Sequence, residues 1–341
     1  MADTDIEWAH KVWNFTRGCR RVSPGCGGAQ GQGGCYAEKT AYRFSGPGQP
    51  YEGLVTLGKH GPRWTGKGRF VSEKLDEPLR WRAPRDGSRL RIFVNSMSDL
   101  FFEEFTNEEI AASFGVMAAC PQHDFLILTK RPERAAEWFK WVVERCADHK
   151  GCERDTLHHS LYPYLPDDGR DHRGPRWQTT FFEQYDVHAA GPGDAGARWP
   201  LPNVWMGVSC EDQKTADERI PLLLSLPAAV RFISAEPLLG PLDLRDYFCP
   251  HAMAFGGCWK SGARRCGQGC SCACHEARPD WIIAGSESGH HARPMDEAWV
   301  RAIRDQCQAA GVSFFYKQKL EGRKVVSLPI LDGREWAEFP R

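Results

Sequence analysis

A parallel α/β architecture, laid out as a partial or near-complete (β/α) barrel, is the fold class this sequence predicts. Three observations predict it. Short runs of β-forming residues recur along the chain, and each ends in polar residues. Segments with helical spacing separate those runs, so that strand and helix alternate about seven times. A loop with three cysteines and the polar clusters all fall at the C-terminal ends of the predicted strands, the face where such barrels carry their active sites. Continuous apolar runs suit parallel strands buried on both faces, and strand–helix alternation means a parallel sheet, open or closed.

The first predicted strand is the aromatic segment around Val12, Trp13 and Phe15. It leads into a glycine-rich loop with Cys19, Cys26 and Cys35, and then a helix-like segment carrying Tyr36, Ala37, Ala41, Tyr42 and Phe44. Arg91–Val94 follows and leads into Asn95, Ser96, Met97, Ser98 and Asp99. Thr106 and Glu109 form a capping box ahead of Ile110, Phe114 and Met117 at helical spacing. Phe125–Leu128 ends in Thr129, Lys130 and Arg131. Pro132 then suits a first helical position before Ala135, Trp138, Phe139 and Val142. Val204–Val208 ends in Ser209, Cys210 and Glu211, and a helix is expected over Lys214 to Leu226. Arg231–Ile233 ends in Ser234, Ala235 and Glu236, and Trp281–Ala284 in Gly285, Ser286 and Glu287. Asp296 caps a helix bearing Val300, Ile303 and Cys307, which Gly311 stops. Val312–Tyr316 ends in Lys317 and Gln318.

Two stretches break this rhythm. Residues 148–200 are rich in Gly, Pro, His and Asp, and read as an inserted lid or partner loop. Residues 245–279 form a cysteine-rich insertion. Residues 1–341 otherwise read as a single barrel domain, a length that one large core accommodates.

Formal net charge is zero and 41% of residues are hydrophobic. The neutral balance removes the simplest argument for a protein that coats nucleic acid, although a local basic groove remains compatible with it. No N-terminal segment reads as a signal peptide, and no apolar run reaches the length of a membrane span. A cytoplasmic setting and no membrane partner are therefore expected. There, fourteen cysteines read as metal ligands or buried thiols, not as a disulfide framework. Cys120, Cys146, Cys210 and Cys307 lie singly in apolar surroundings and read as core.

Cys19, Cys26 and Cys35 on one loop between strand and helix suggest a metal centre with a position left open. A closed zinc site wants four ligands, and an iron–sulfur cluster with three protein thiolates leaves one iron free. A structural zinc site completed by a fourth ligand from elsewhere is the alternative. Cys249, Cys258, Cys266, Cys270, Cys272 and Cys274, with His251 and His275, form a second group. It reads as a second iron–sulfur cluster or as a zinc knot.

The strand, three-cysteine loop and helix at the start of an α/β barrel resemble the radical S-adenosylmethionine (SAM) superfamily. A narrower resemblance spans nearly the whole chain and is to the phage-associated three-cysteine-motif family of unknown function. It is carried by Ile6-Glu7-Trp8, Gly18-Cys19, Val22–Cys26, Cys35–Glu38, Val94–Phe101 and Leu128–Glu133. Ala216–Pro221, Ser234–Pro241, Glu287-Ser288-Gly289, Ala292–Met295 and Asp332–Arg334 carry it further. One departure stands out. The family pattern has two residues between the last two cysteines, whereas here Gly27 to Gly34 makes eight, five of them glycine. By the logarithmic loop rule that lengthening costs only about 1 kcal/mol.

The resemblance implies a radical SAM barrel. In it Cys19, Cys26 and Cys35 hold three irons of a 4Fe–4S cluster, and the fourth iron takes the amino and carboxylate groups of SAM. One-electron cleavage would give methionine and a 5′-deoxyadenosyl radical that abstracts hydrogen from a substrate. Tyr36, Asn95, Ser96, Ser98 and Asp99 are then expected to bind SAM, with hydrogen-bond acceptors for its amino group at the end of the second strand. Ser209 and Glu211 are expected at its ribose or carboxylate, and Lys130, Glu236, Glu287 and Lys317 are expected as catalytic groups. For Asn95, Ser96, Ser98 and Asp99 a helix N-cap cluster is the competing reading, and for Lys130, Glu236, Glu287 and Lys317 it is an ion pair lining the barrel mouth. The resemblance further implies a flavodoxin- or ferredoxin-type reductant, the host cytoplasm if the gene is a phage's, and a nucleobase substrate in DNA or as a nucleotide. A rearrangement or carbon–carbon bond change on a hypermodified pyrimidine would suit a radical. The rival reading is a non-catalytic, zinc-stabilised nucleic-acid-binding protein, and a third is a barrel that keeps the fold without catalysis.

Overall fold

The computed structural model describes residues 4–28, 33–145, 200–248, 278–289, 291–322 and 324–340. Nearly all of the first predicted insertion, most of the second, and Cys146, Cys152, Cys249, Cys258, Cys266, Cys270, Cys272, Cys274, His251 and His275 lie outside the described residues.

One eight-stranded sheet organises the chain. Its order is β1 (Lys11–Trp13), β6 (Leu90–Val94), β7 (His123–Thr129), β8 (Val204–Ser209), β9 (Val230–Ala235), β10 (Trp281–Gly285), β11 (Ser313–Glu321) and β12 (Lys324–Ser327). Pairing is parallel from β1 through β11, and β12 returns antiparallel as a hairpin on the last edge. Spatial order follows chain order, so every crossover turns the same way. The result is a curled half-barrel flanked by helices. The expected α/β class and strand–helix alternation hold. Among the described residues β1 and β12 do not pair, so the sheet is open.

The helices end where local chemistry says they should. α2 (Asn107–Ala118) starts with a complete capping box between Thr106 and Glu109. α3 runs from Pro132 to Arg145. α4 (Gln213–Ser225) is capped by Asp212 and Thr215. α5 (Arg245–Phe248) is a single turn, and α6 (Glu297–Ala310) starts at Asp296 and stops at left-handed Gly311. α1 (Tyr36–Arg43) begins directly after Cys35.

Between β1 and β6 the structure adds elements that the sequence reading passed over. A hairpin of β3 (Val55–Gly58) and β4 (Gly61–Trp64) packs on α1 through Ala37, Ala41 and Val55. β5 (Arg69–Phe70) pairs with β2 (Thr16–Arg17). These strands are short and carry little alternation, so periodicity had nothing to register.

Strict alternation along the main strands sorts the side chains. Ile92, Val94, Phe125, Ile127, Met206, Ile233, Ile282 and Phe314 face the helices and form the larger core. Phe93, Leu126, Trp205, Phe232, Trp281 and Phe315 face the concave side, where they pack with Trp8 and Phe339. Cys120, Cys210 and Cys307 are buried in the larger core, as expected.

Candidate active site

The concave face changes character along each strand. Two residues beyond Phe93 comes Asn95, and four beyond Leu126 comes Lys130. The same period leads from Trp205 to Ser209, from Phe232 to Ser234 and Glu236, and from Phe315 to Lys317. An aromatic plug therefore fills the lower part of the half-barrel, and polar side chains stand above it at the C-terminal strand ends. Gly207 is the small position in this series, since a Cβ there would run into the ring of Phe232.

Those polar ends border a cavity of about 580 Å³. Cys19, Cys26, Cys35, Tyr36, Asn95, Ser96, Ser98, Asp99, Lys130, Ser209, Glu236, Glu287 and Lys317 all line it. Glu211 is the exception among the described expected residues: it lies fully buried behind the wall. The N-terminal segment Thr4–Trp8, Trp64 and Ser234 also line the cavity. The sequence reading did not assign them to the site, and only the folded path of the chain brings them there.

The cysteine loop is held from several sides by buried charge. Glu211 accepts hydrogen bonds from Ser23 Oγ (3.0 Å) and Arg219 (3.1 Å), and Lys130 Nζ also donates to it. Glu287 accepts the Gly34 N–H at 3.1 Å and a bidentate pair from Arg293 at 2.9 and 2.7 Å. A Cβ on Gly25 would overlap the Glu211 carboxylate, and one on Gly33 would overlap that of Glu287. Glu38 pairs with Arg21 on the same loop and accepts the Trp64 N–H. Arg131 binds the Arg20 carbonyl at 2.9 Å, and its other nitrogen lies 3.7 Å from Cys19 Sγ.

Burial tends to raise both glutamates, but Lys130 and Arg219 outweigh it at Glu211, and Arg293 with the Gly34 N–H outweigh it at Glu287. Both carboxyls lie below the ordinary range. Burial pushes the Cys19 thiol up to about 12, with Arg131 opposing and Asp99 reinforcing, and burial likewise raises Cys35. Among the described residues, no three Cys, His, Asp or Glu side chains come close enough to hold a single metal ion.

The group after β6 is largely spent on structure. Ser96 Oγ is bonded to Asn14, and Ser98 Oγ to Thr16. Asp99 accepts from Thr129, the Lys130 N–H and Arg131. Tyr36 OH donates to the Ser96 carbonyl. Asn95 takes a left-handed φ of 60°, and its Oδ1 accepts the Thr16 N–H at 3.3 Å. Its Nδ2 is buried and has no partner. The open valence of this group is thus a donor, where the sequence reading expected acceptors. Across the cavity Lys317 and Glu236 form an ion pair of 2.6 Å.

The chain belongs to the family described as "protein of unknown function (DUF5131)", whose family model matches residues 3–340. No curated protein and no solved structure matches the chain.

Proposed function

We propose that this chain is a radical SAM enzyme whose substrate is a nucleobase, in DNA or as a nucleotide. The observation that carries the reading is the gathering of all three loop cysteines and the polar strand ends around one cavity of about 580 Å³. The donor set suits a cluster better than a lone ion. A cluster spreads its thiolates over several irons, so they need to surround a space instead of converging on a point. Cys19, Cys26 and Cys35 would hold it and leave one iron without a protein ligand. When bound, a 4Fe–4S cluster with SAM supplies one-electron cleavage of the sulfonium and a hydrogen-abstracting radical.

The chain's own residues supply orientation and exclusion of water. The unpartnered Nδ2 of Asn95 asks for an acceptor, and the carboxylate of SAM is one. Ser209 and Ser234, on neighbouring strands, offer hydroxyls to the cavity. Lys317 and Glu236 present one charge of each sign and can exchange their mutual contact for polar substrate groups or a proton. Lys130 and Glu287, paired with Glu211 and Arg293, serve in this reading to fix the loop. The aromatic plug closes the bottom of the half-barrel against solvent. An electron donor of flavodoxin or ferredoxin type completes the scheme. The cysteine group at residues 249–275, a candidate for a second cluster or zinc, lies outside the described residues.

The test is anaerobic reconstitution with iron and sulfide, followed by EPR and by assay of dithionite-driven release of methionine and 5′-deoxyadenosine. A reducible cluster signal that shifts with SAM and is lost in the Cys19→Ala/Cys26→Ala/Cys35→Ala protein is the expected result. Zinc alone, without SAM cleavage, would overturn the reading and favour a metal-stabilised binding protein.

A further inference from the structure

The neutral overall balance hides a local concentration of charge beside the cavity. Residues 17–69 carry nine Lys and Arg against two acidic residues, Glu38 and Glu52, in a chain with 44 of each sign. Glu38 is buried and already shared by Arg21 and Arg63. Among the described residues Arg17, Arg20, Arg43, Lys59, Lys67 and Arg69 form no salt bridge. Arg17 and Arg69 donate instead to backbone carbonyls of Pro50 and Glu52, which leaves their charge uncompensated.

The same surface is unusually apolar. The described residues include seven large exposed hydrophobic side chains, and five of them fall between Val22 and Leu57. Tyr42 is 40% exposed, Phe44 48% and Leu57 62%. The two packed elements that carry most of them start at the cavity rim. α1 begins with Tyr36, which lines the cavity, and Tyr36, Lys39 and Arg43 share one helix face at spacings of three and seven. The hairpin ends at Trp64, also on the rim, and turns at Lys59 and His60. Exposed rings interleaved with Arg43, Lys59, Lys67 and Arg69, which form no salt bridge among the described residues, are what a single-stranded nucleic acid needs: stacking faces for its bases and counter-charge for its phosphates.

We infer that α1 and the β3–β4 hairpin form a landing surface for single-stranded nucleic acid, which guides one unpaired base from the rim into the cavity. This rests on the nucleobase reading above and narrows it: the substrate base belongs to a polymer, because a free nucleotide would engage neither the helix nor the hairpin. A base within a duplex cannot reach a recessed site while stacked, so unpaired or extruded bases are the form that enters.

The test uses the full chain without cluster or SAM, so it stands apart from the assay for radical chemistry. Fluorescence anisotropy with labelled oligo(dT) is read against ionic strength, with the matching duplex and an acidic flavodoxin as comparison ligands. Oligo(dT) is expected to bind more tightly than duplex, with affinity falling as salt rises. Reversing charge with Lys59→Glu, Lys67→Glu and Arg69→Glu together should lower the log–log salt slope by about 2. Tyr42→Ala with Phe44→Ala should weaken binding about 30-fold or more while leaving the slope unchanged. All five side chains are exposed, and circular dichroism with melting curves checks that the variants fold. Absence of oligo(dT) binding overturns the inference, as does binding that neither set of changes alters. Salt-dependent capture of flavodoxin but not oligo(dT) also overturns it, and makes the surface a protein docking site.

Discussion

Ser23 Oγ donates to Glu211 at 3.0 Å across 188 positions of sequence, and so ties the first half of the cysteine loop to the end of β8. At the other end of the loop Glu287, beyond β10, takes the Gly34 N–H at 3.1 Å. Two buried carboxylates thus grip the loop that carries Cys26, one near each end. Glu211 accepts three hydrogen bonds there, and Glu287 accepts four. Each carries a cationic partner that keeps it ionised away from water, Arg219 and Lys130 in one case and Arg293 in the other.

The two sides of the first contact should differ in weight. Glu211→Gln removes a fully buried charge and leaves Arg219 and Lys130 facing a neutral amide, at a cost of about 3 kcal/mol. Ser23→Ala removes one hydrogen bond and should cost about 1 kcal/mol. Urea titrations of the three proteins measure both, and equal losses would show that Glu211 does not depend on its cations.

Gly33→Ala is expected to be worse than Gly25→Ala. Either Cβ collides with a buried carboxylate, but Gly33 also has a φ of 63°, which alanine adopts only with strain. A loss of about 2 kcal/mol or more at position 33 follows. Melting temperature and iron uptake after reconstitution are the readouts.

Asn95→Asp replaces the unpartnered donor with an acceptor of negative charge. If Asn95 meets the carboxylate of SAM, affinity for SAM should fall roughly 10- to 100-fold. Isothermal titration of the reconstituted protein measures it. Unchanged affinity would move the carboxylate elsewhere in the cavity.

Acid should weaken the grip on the loop. Glu211 and Glu287 both lie below the ordinary glutamate value of 4.5 when folded, so their stabilisation is complete above that value. It is lost as pH falls through 4.5 and on toward the lower folded values. Wild type should therefore lose more stability than Glu211→Gln between about pH 5.5 and about pH 3.5. Parallel pH dependences would argue against ionised glutamates at these sites.

Cys19 in metal-free protein should alkylate slowly. Burial holds it at about 12, so little thiolate is present at neutral pH. At about pH 8, iodoacetamide should modify it at least tenfold more slowly than glutathione, with the rate rising in stronger alkali. Peptide mass spectrometry of a time course reads this directly.

Much of the fold was legible because its signals are local. The capping box at Thr106 and Glu109, the proline opening α3, and Asp296 and Gly311 around α6 each involve residues within a turn or so of the element they bound. The site was legible in outline for the same reason. Polar residues directly after apolar strands had to stand at one end of a parallel sheet, and Cys19, Cys26 and Cys35 were bound to join them. The hairpin beneath α1 gave no such signal, since β3 and β4 are four residues each and half-exposed.

By itself, then, the sequence determined the parallel α/β layout and the residues at the strand ends, because periodicity and capping act over a few neighbouring positions. Tertiary structure alone decided which of those residues keep an open valence. Glu211 accepts from Ser23, Lys130 and Arg219, Asp99 from Thr129 and Arg131, and Asn95 is left with a spare donor. The physical reason is that buried charge and hydrogen-bonding capacity are satisfied by whichever partners the curl of the sheet brings within about 3 Å. Those partners come from strands far apart in the chain, and no local pattern encodes them.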